Sequence, residues 1–355
     1  MESETFILNG EKMPISVFLK RKPETKHEND VLLFMKEWHA LNEYIEVQTS
    51  GSTGTPKKIK LAKNFIEASA RRTLQYFDLK PGDRILHCLP CQYIAGKLMV
   101  VRALVGHLDL CTEDPSTDFE FLKKEKFRFA AMVANQAASI PDGLIPQIEQ
   151  LLIGGSNIPA SLQRRMENIS SAIYSSYAMT ETATHIAIRQ IKDDWYHCMK
   201  DISVNLSDEG CLRIMMPGLN QAFLQTTDIA EVKGNKIFRI LGRADNAIIS
   251  GGIKYHPEQM EKKLEKHITL PFMITSLPHN DLGEQIVLVI EGDSNTKIAD
   301  ICSRNLSKYE RPRQIIYLEK LPRTPNGKIA RKLPTQFYSS TIWHPSPQGG
   351  MLPPE

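Results

Sequence analysis

Thr49-Ser50-Gly51-Ser52-Thr53-Gly54-Thr55-Pro56-Lys57 packs hydroxyls, two glycines and a lysine into one short stretch. Glycine lets a backbone approach a ligand closely and adopt positive φ. Ser and Thr hydroxyls and bared amides donate to phosphate oxygens, and Lys57 adds a positive charge. That chemistry suits a nucleotide triphosphate tail. The spacing is not that of an ordinary P-loop, which needs a second glycine five positions after the first and then Lys-[Ser/Thr]. Here Pro56 stands five after Gly51. A flexible surface loop of the same composition is the plain alternative.

The stretch resembles the T-S-G-[ST]-T-G-x-P-K phosphate loop of the adenylate-forming superfamily, which includes acyl-CoA synthetases, firefly luciferase and peptide-synthetase adenylation domains. Five further segments match that superfamily in order. Ser176-Tyr177-Ala178-Met179-Thr180-Glu181 is similar to Y-G-x-T-E, with alanine for glycine. Thr226-Thr227-Asp228 stands where the family has T-G-D. Gly242-Arg243-Ala244-Asp245 fits the hinge motif G-R-x-D. Ser250-Gly251-Gly252-Ile253-Lys254, followed by His256-Pro257-Glu258, fits the glycine-rich segment after the hinge. Pro322-Arg323-Thr324-Pro325-Asn326-Gly327-Lys328 fits the segment that carries the family's lysine. Together the motifs span about four fifths of the chain.

The resemblance implies roles. Thr49, Ser50, Gly51, Ser52, Thr53, Gly54 and Lys57 would hold the triphosphate of ATP. Gly154-Gly155-Ser156 is similar to the G-G-x segment along adenine, beside Ser176, Tyr177 and Ala178. An ordinary β–α turn is the alternative for those glycines. Thr180 and Glu181 would belong to the catalytic group, with Glu181 a hard oxygen ligand for Mg²⁺. Asp228 would accept the ribose hydroxyls, and Arg243 would donate to the ribose or α-phosphate region. Lys328 would bridge the carboxylate and the α-phosphate as charge builds. Asp245 would be the hinge, since a hinge needs one residue able to absorb a large φ/ψ change. Gly251 and Gly252 would line a thiol tunnel for coenzyme A.

Within the superfamily the chain most resembles the o-succinylbenzoate–CoA ligases of menaquinone biosynthesis, in a short form. Only 48 residues precede the phosphate loop, which implies a trimmed N-terminal subdomain whose outer sheet is missing or supplied by a homo-oligomer partner. Such a substrate keeps a second carboxylate, so a cationic or hydroxyl-bearing pocket wall is expected. Tyr93, Lys97, Arg102, Thr184 and His185 are the candidates. Tyr93 and Gln92 depart from the family's L-P-x-F-H-x-x-G pattern. Arg102 on an otherwise apolar helix is costly unless paired, either with a substrate anion or with a protein carboxylate. His185 is either a packed histidine or a ligand contact. A ligase for another aryl or acyl acid and a non-catalytic nucleotide-binding relative remain alternatives.

Composition sets the frame for these elements. At 355 residues, with 41% hydrophobic and 24% charged residues, the chain fits a large soluble globular protein. A net charge of +3 gives no argument for a nucleic-acid partner. No apolar run approaches a membrane span, and the acidic N-terminus lacks the order of a signal peptide, so the cytoplasm is the expected compartment. Six scattered cysteines do not suggest a disulfide framework, and Cys88-x-x-Cys91 reads as a pair of buried free thiols.

The elements that must position these residues follow from periodicity. Strand-like runs at 84–89, 129–134, 150–153 and 172–176 alternate with helical stretches at 62–76 and 93–106, arguing for an α/β fold with a mainly parallel sheet. After residue 200, closely spaced strands at 202–206, 211–215, 229–232 and 237–241 read as an antiparallel β subdomain. A small α+β region follows, with a helix from 257, strands at 272–276 and 286–291 and a helix at 297–305. The expected domains are 1–244, binding ATP and acid, a mobile C-terminal domain at 245–340 carrying Lys328, and a tail at 341–355.

Overall fold

A computed structural model describes residues 4–48, 58–115, 119–155, 158–169, 172–219, 221–323, 329–331 and 333. The chain divides into two compact units, Met1–Ser203 with Met215–Asn220, and Val204–Ile214 with Gln221–Glu355.

The first unit opens with β1 (Thr5–Leu8), β2 (Glu11–Pro14), α1 (Ile15–Phe18) and α2 (Lys26–His39). The sequence pattern there is weak because both strands are four residues long. α2 nevertheless carries a clear start signal: the Thr25 hydroxyl accepts from Glu28 N at 3.1 Å. The hairpin β3 (Tyr44–Gln48) and β4 (Lys58–Ala62) flanks the phosphate-loop sequence. Then come α3 (Lys63–Tyr76), β5 (Arg84–His87), α4 (Ile94–Gly106), β6 (Asp109–Thr112), β7 (Phe127–Val133), α5 (Ala134–Ser139), β8 (Ile148–Gly154), α6 (Ala160–Glu167) and β9 (Ala172–Ala178). β10 (His185–Gln190) and β11 (Tyr196–Cys198) complete the unit's sheet.

Strand order in this unit is β11-β10-β9-β8-β7-β5-β6-β1-β2. The run from β9 to β1 is parallel. β10 and β11 at one end of this parallel run and β2 at the other are added antiparallel. Central strands such as β8, with Ile148, Leu151, Leu152 and Ile153 buried, are apolar on both faces, as a sheet covered on both sides requires. Leu151 and Ile153 pack with Ala137 of α5 and Leu162 and Met166 of α6. Elsewhere in the sheet Phe129 meets Phe77, just after α3, at a ring distance of 4.8 Å.

β5 leads through α4 to β6 on one side, whereas β7, β8 and β9 step away on the other. That reversal is a topological switch point. Ligands of open α/β sheets bind outside the strands' carboxyl ends at such a reversal.

In the second unit, β12 (Ser203–Leu206), β13 (Cys211–Met215), β14 (Leu224–Lys233) and β15 (Ile237–Arg243) lie in that order, with β13, β14 and β15 antiparallel. A second sheet holds β16 (Ile248–Ser250), β17 (Ile253–Tyr255), β18 (Phe272–His279), β19 (Gly283–Glu291) and β20 (Gln314–Leu318), with α7 (Pro257–Leu264) and α8 (Lys297–Asn305). β19 shows why this sheet forms. Ile286, Leu288 and Ile290 enter one core with Met260, Leu264 and Ile298, while Val287 and Val289 enter another with Met273, Ile316 and Leu321. The fold is mixed α/β, with a mainly parallel sheet followed by antiparallel strands and a small α+β region.

Candidate active site

Thr49, Ser50, Gly51, Ser52, Thr53, Gly54, Lys57, Ser156 and Lys328 lie outside the described residues. The remaining candidates fall in two groups, one in each unit.

In the first unit, the register of parallel β8 and β9 pairs Ile153 with Ser175. That sets Gly154 beside Ser176, whose hydroxyl donates to Ile153 O at 3.4 Å. A Cβ on Gly154 would come within 2.6 Å of Ser176 Oγ, and Gly155 takes φ +84°. Both glycines therefore answer a local need: one a close approach, the other a left-handed turn. Gly154, Gly155, Ser176, Tyr177 and Ala178 thus gather at the carboxyl ends of two adjacent strands.

The chain then makes a tight turn through Thr180 and Glu181. Thr182 Oγ1 accepts from Met179 N at 3.2 Å and donates to Thr184 O at 2.7 Å. Ala183 is fully buried at φ +61°, a conformation that costs a non-glycine residue roughly 1–2 kcal/mol. The turn leaves Glu181 half-buried and sends Thr184 and His185 inward. Among the described residues no group of three His, Cys, Asp or Glu side chains could hold a metal ion. Glu181 is a half-buried hard-oxygen donor at this turn.

α4 carries three of the acid-pocket candidates. It starts where Gly96 passes under the preceding loop; a Cβ there would fall 2.3 Å from Pro90 O. Tyr93 stands exposed at the helix N-terminus. Lys97 is buried, pairs with Glu37 of α2 and lies over the Phe34 ring at 4.6 Å, so its charge is already balanced by the protein. Arg102 is different. It is 2% exposed, donates from Nη2 to Thr184 Oγ1 at 2.9 Å and from Nη1 to Met99 Sδ at 3.4 Å, and leaves Nε without a partner. Burial pushes its pKa down to about 9. No carboxylate among the described residues forms an ion pair with it.

His185 has both ring nitrogens engaged: Nδ1 with Thr184 Oγ1 at 3.2 Å and Nε2 with Thr73 Oγ1 at 3.1 Å. Burial first, and then the cations Arg102 and Arg72, hold its pKa well below the ordinary value. Thr73, Arg72 and Glu37 were not singled out from sequence. Helical period does place Thr73 with Ile66 and Ser69 on the buried face of α3, and that signal was available.

In the second unit, Asp228 and Arg243 are paired residues of β14 and β15. Arg243 reaches Asp228 Oδ1 at 3.4 Å, Thr227 Oγ1 at 2.6 Å and Asp245 Oδ2 at 2.8 Å. Asp228 N donates to Thr226 Oγ1 at 3.1 Å. Two motifs distant in sequence therefore form one polar cluster. Gly251 and Gly252, at φ +58° and +79°, form the two-residue turn between β16 and β17. On either side of residues 324–328, Arg323 and Ile329 make an antiparallel bridge, and Ala330 N donates to Pro322 O at 2.8 Å. Arg331 anchors this end on Glu261 through bonds of 2.6 and 2.7 Å.

Cys88 and Cys91 are buried free thiols, and burial pushes both up to about 12. They are not poised as thiolate nucleophiles.

A glycine pair at the carboxyl end of β8 lies beside Ser176 of β9 and ahead of a turn bearing Glu181, on an α/β sheet with a switch point, an arrangement open α/β nucleotide-binding enzymes use. The chain belongs to the AMP-binding enzyme family, whose sequence profile matches residues 39–204. It is similar to the acyl-CoA synthetase (AMP-forming)/AMP-acid ligase II-like protein of Dyadobacter fermentans. That similarity is 30% identity, with a TM-score of 0.62 over 89% of this chain and 96% of the other. It is 23% identical to the 2-succinylbenzoate–CoA ligase of Lactococcus lactis over 81% of this chain and 69% of the relative. The o-succinylbenzoate coenzyme A synthetase of Bacillus subtilis, solved with ATP and magnesium ion, shares the fold. Its TM-score is 0.70 at 20% identity, covering 81% of this chain and 68% of that one. Among the described residues no helix is long and apolar enough to cross a membrane.

Proposed function

We propose that this enzyme is an ATP-dependent acid–CoA ligase acting on o-succinylbenzoate. The carboxylate oxygen attacks the α-phosphorus of ATP, pyrophosphate leaves, and the coenzyme A thiol then attacks the acyl carbon, with AMP as the leaving group. The protein's task is to bring two anions together and neutralise the charge that builds between them.

In this reading, loop 49–57 takes the β- and γ-phosphates, and Gly154, Gly155, Ser156, Ser176, Tyr177 and Ala178 take adenine. Thr180 and Glu181 serve the phosphates and their Mg²⁺. Asp228 and Arg243 take the ribose side. Lys328 stabilises the adenylation transition state. Gly251 and Gly252 serve the thioester step, with Asp245 as the hinge between the two half-reactions.

One observation carries the choice of acid. Arg102 is a buried guanidinium with an unpartnered Nε, held toward Thr184, and it forms no ion pair with a carboxylate of the described residues. A buried cation in that state is stabilised by an anion partner, and no carboxylate of the described residues supplies one. The benzoate carboxylate of o-succinylbenzoate, distinct from the succinyl carboxylate that is activated, supplies one. The similarity to 2-succinylbenzoate–CoA ligases supports the same choice.

ATP–pyrophosphate exchange across o-succinylbenzoate, benzoate, succinate and octanoate tests it. Exchange is expected to be far fastest with o-succinylbenzoate. If a monocarboxylic acid proves best, the dicarboxylate reading fails and the ligase reading stands. If no acid supports exchange, the ligase reading fails too.

A further inference from the structure

Arg102, Thr184, His185, Thr73 and Ser69 form one unbroken buried string. Arg102 Nη2 donates to Thr184 Oγ1 at 2.9 Å, and Thr184 Oγ1 lies 3.2 Å from His185 Nδ1. His185 Nε2 lies 3.1 Å from Thr73 Oγ1, which donates to Ser69 O at 3.3 Å. Counting protons along the string fixes its direction. A guanidinium offers only donors, so Thr184 accepts from it and has one hydroxyl proton to give. The nearest acceptor for that proton is His185 Nδ1. The ring then carries its own proton on Nε2 and gives it to Thr73, whose hydroxyl proton goes to Ser69 O. Every hydroxyl then donates once and accepts once. The opposite tautomer sends Nδ1–H to Thr184, which strands the Thr184 proton in a buried site, a costly arrangement.

We propose that His185 is a positioning residue. As a neutral imidazole protonated on Nε2 it fixes the Thr184 hydroxyl, and through that hydroxyl it holds Arg102 with its free edge ready for the distal carboxylate of the acid. This rests on the reading of Arg102 as the group that meets that carboxylate. His185 itself touches no substrate: both its nitrogens are occupied by protein hydroxyls, and it is 3% exposed. Burial first, and then the neighbouring cations Arg102 and Arg72, keep the ring neutral.

A histidine that merely fills space gives a different set of results, so the test separates the two. The full-length enzyme is assayed with o-succinylbenzoate and with 4-oxo-4-phenylbutanoate, which keeps the reacting chain and lacks the ring carboxylate. The readout is the ratio of the two kcat/KM values. His185→Leu and Thr184→Val are expected to lower that ratio roughly tenfold through the KM for o-succinylbenzoate. His185→Gln, which keeps one acceptor and one donor, retains most of it. In an Arg102→Met background, His185→Leu adds less than about twofold, because both act on one interaction. Separately, ¹⁵N-histidine NMR of the wild-type enzyme at neutral pH is expected to show His185 neutral with the proton on Nε2, a result that does not depend on the substrate. A proton on Nδ1, a charged ring, equal losses for both acids or additive losses in the double variant would overturn the positioning role. A wild-type enzyme that does not prefer o-succinylbenzoate overturns the dicarboxylate reading instead, and the NMR tautomer then decides the string by itself.

Discussion

Asp228 and Arg243 face each other as paired residues of β14 and β15, with Arg243 Nη1 3.4 Å from Asp228 Oδ1. The pair is loose, and Arg243 holds shorter bonds to Thr227 and Asp245. Arg243 thus ties Asp228 into a cluster with Thr227 and Asp245 at the end of the β14–β15 pair, and the proposed ribose role of Asp228 is open to direct test. Asp228→Ala is expected to weaken ATP binding by about 1.5–3 kcal/mol for each charge-assisted hydrogen bond lost. Isothermal titration with a non-hydrolysable ATP analogue measures this. A folded variant with unchanged affinity would remove Asp228 from the ribose site.

Gly154 sits where a methyl group would fall 2.6 Å from Ser176 Oγ. Gly154→Ala must push the Ser176 side chain or part β8 from β9. The first is cheap and local, because the neighbour is a small side chain; the second costs typically about 1–3 kcal/mol. The expected outcome is a clear rise in KM for ATP with a small drop in melting temperature. A large loss of stability with normal KM in the remaining folded enzyme would mean that Gly154 serves packing and not the nucleotide.

The fold was legible where periodicity is strong. α4 is apolar nearly all round and α8 has a clean amphipathic stripe, and both stand where the sequence puts them. The first 44 residues were not legible, because β1 and β2 are only four residues each and β1 is held in the sheet by β6, a partner about 100 residues away in sequence. The strands β10 and β11 were missed for a related reason: they join antiparallel to the end of a parallel run. In the site, Arg102 announced itself as a charge on an apolar helix. Its surroundings did not, because Thr73 and Thr184 approach from α3 and from the turn before β10, and no local pattern marks a hydroxyl as the partner of a distant ring.

Lys328→Ala is expected to slow adenylation severely while leaving thioester formation from synthetic acyl-adenylate largely intact. The motivation is the resemblance of Pro322–Lys328 to the family's lysine-bearing segment; its described flanks are held by the Arg323–Ile329 bridge and by Arg331 on Glu261. Single-turnover measurement of the two half-reactions separates the effects. An equal loss in both would contradict assignment of this lysine to one half-reaction only.

Acid should destabilise the enzyme well before its carboxylates titrate. His185, His87 and His27 all have pKa values held below the ordinary 6.5, in each case chiefly by burial. His27 and His87 also stack at 4.5 Å, so a charge on either opposes a charge on the other. Asp30 and Asp114 soften this for His27, while His185 has only Arg102 and Arg72 beside it. The sign follows directly. Between the lowered folded value and 6.5, the unfolded chain binds protons that the folded one refuses, so stability rises with pH through that window. The stabilising contribution is complete above 6.5 and is lost as pH falls toward the folded values. Each histidine held a full pH unit down adds about 1.4 kcal/mol to the loss. Melting temperature should thus be flat from about pH 7 to 8 and fall steadily below about 6.5, the range in which unperturbed histidines titrate. Differential scanning calorimetry against pH reads this, and a melting temperature constant down to about pH 5 would show that these rings are not held neutral by the fold.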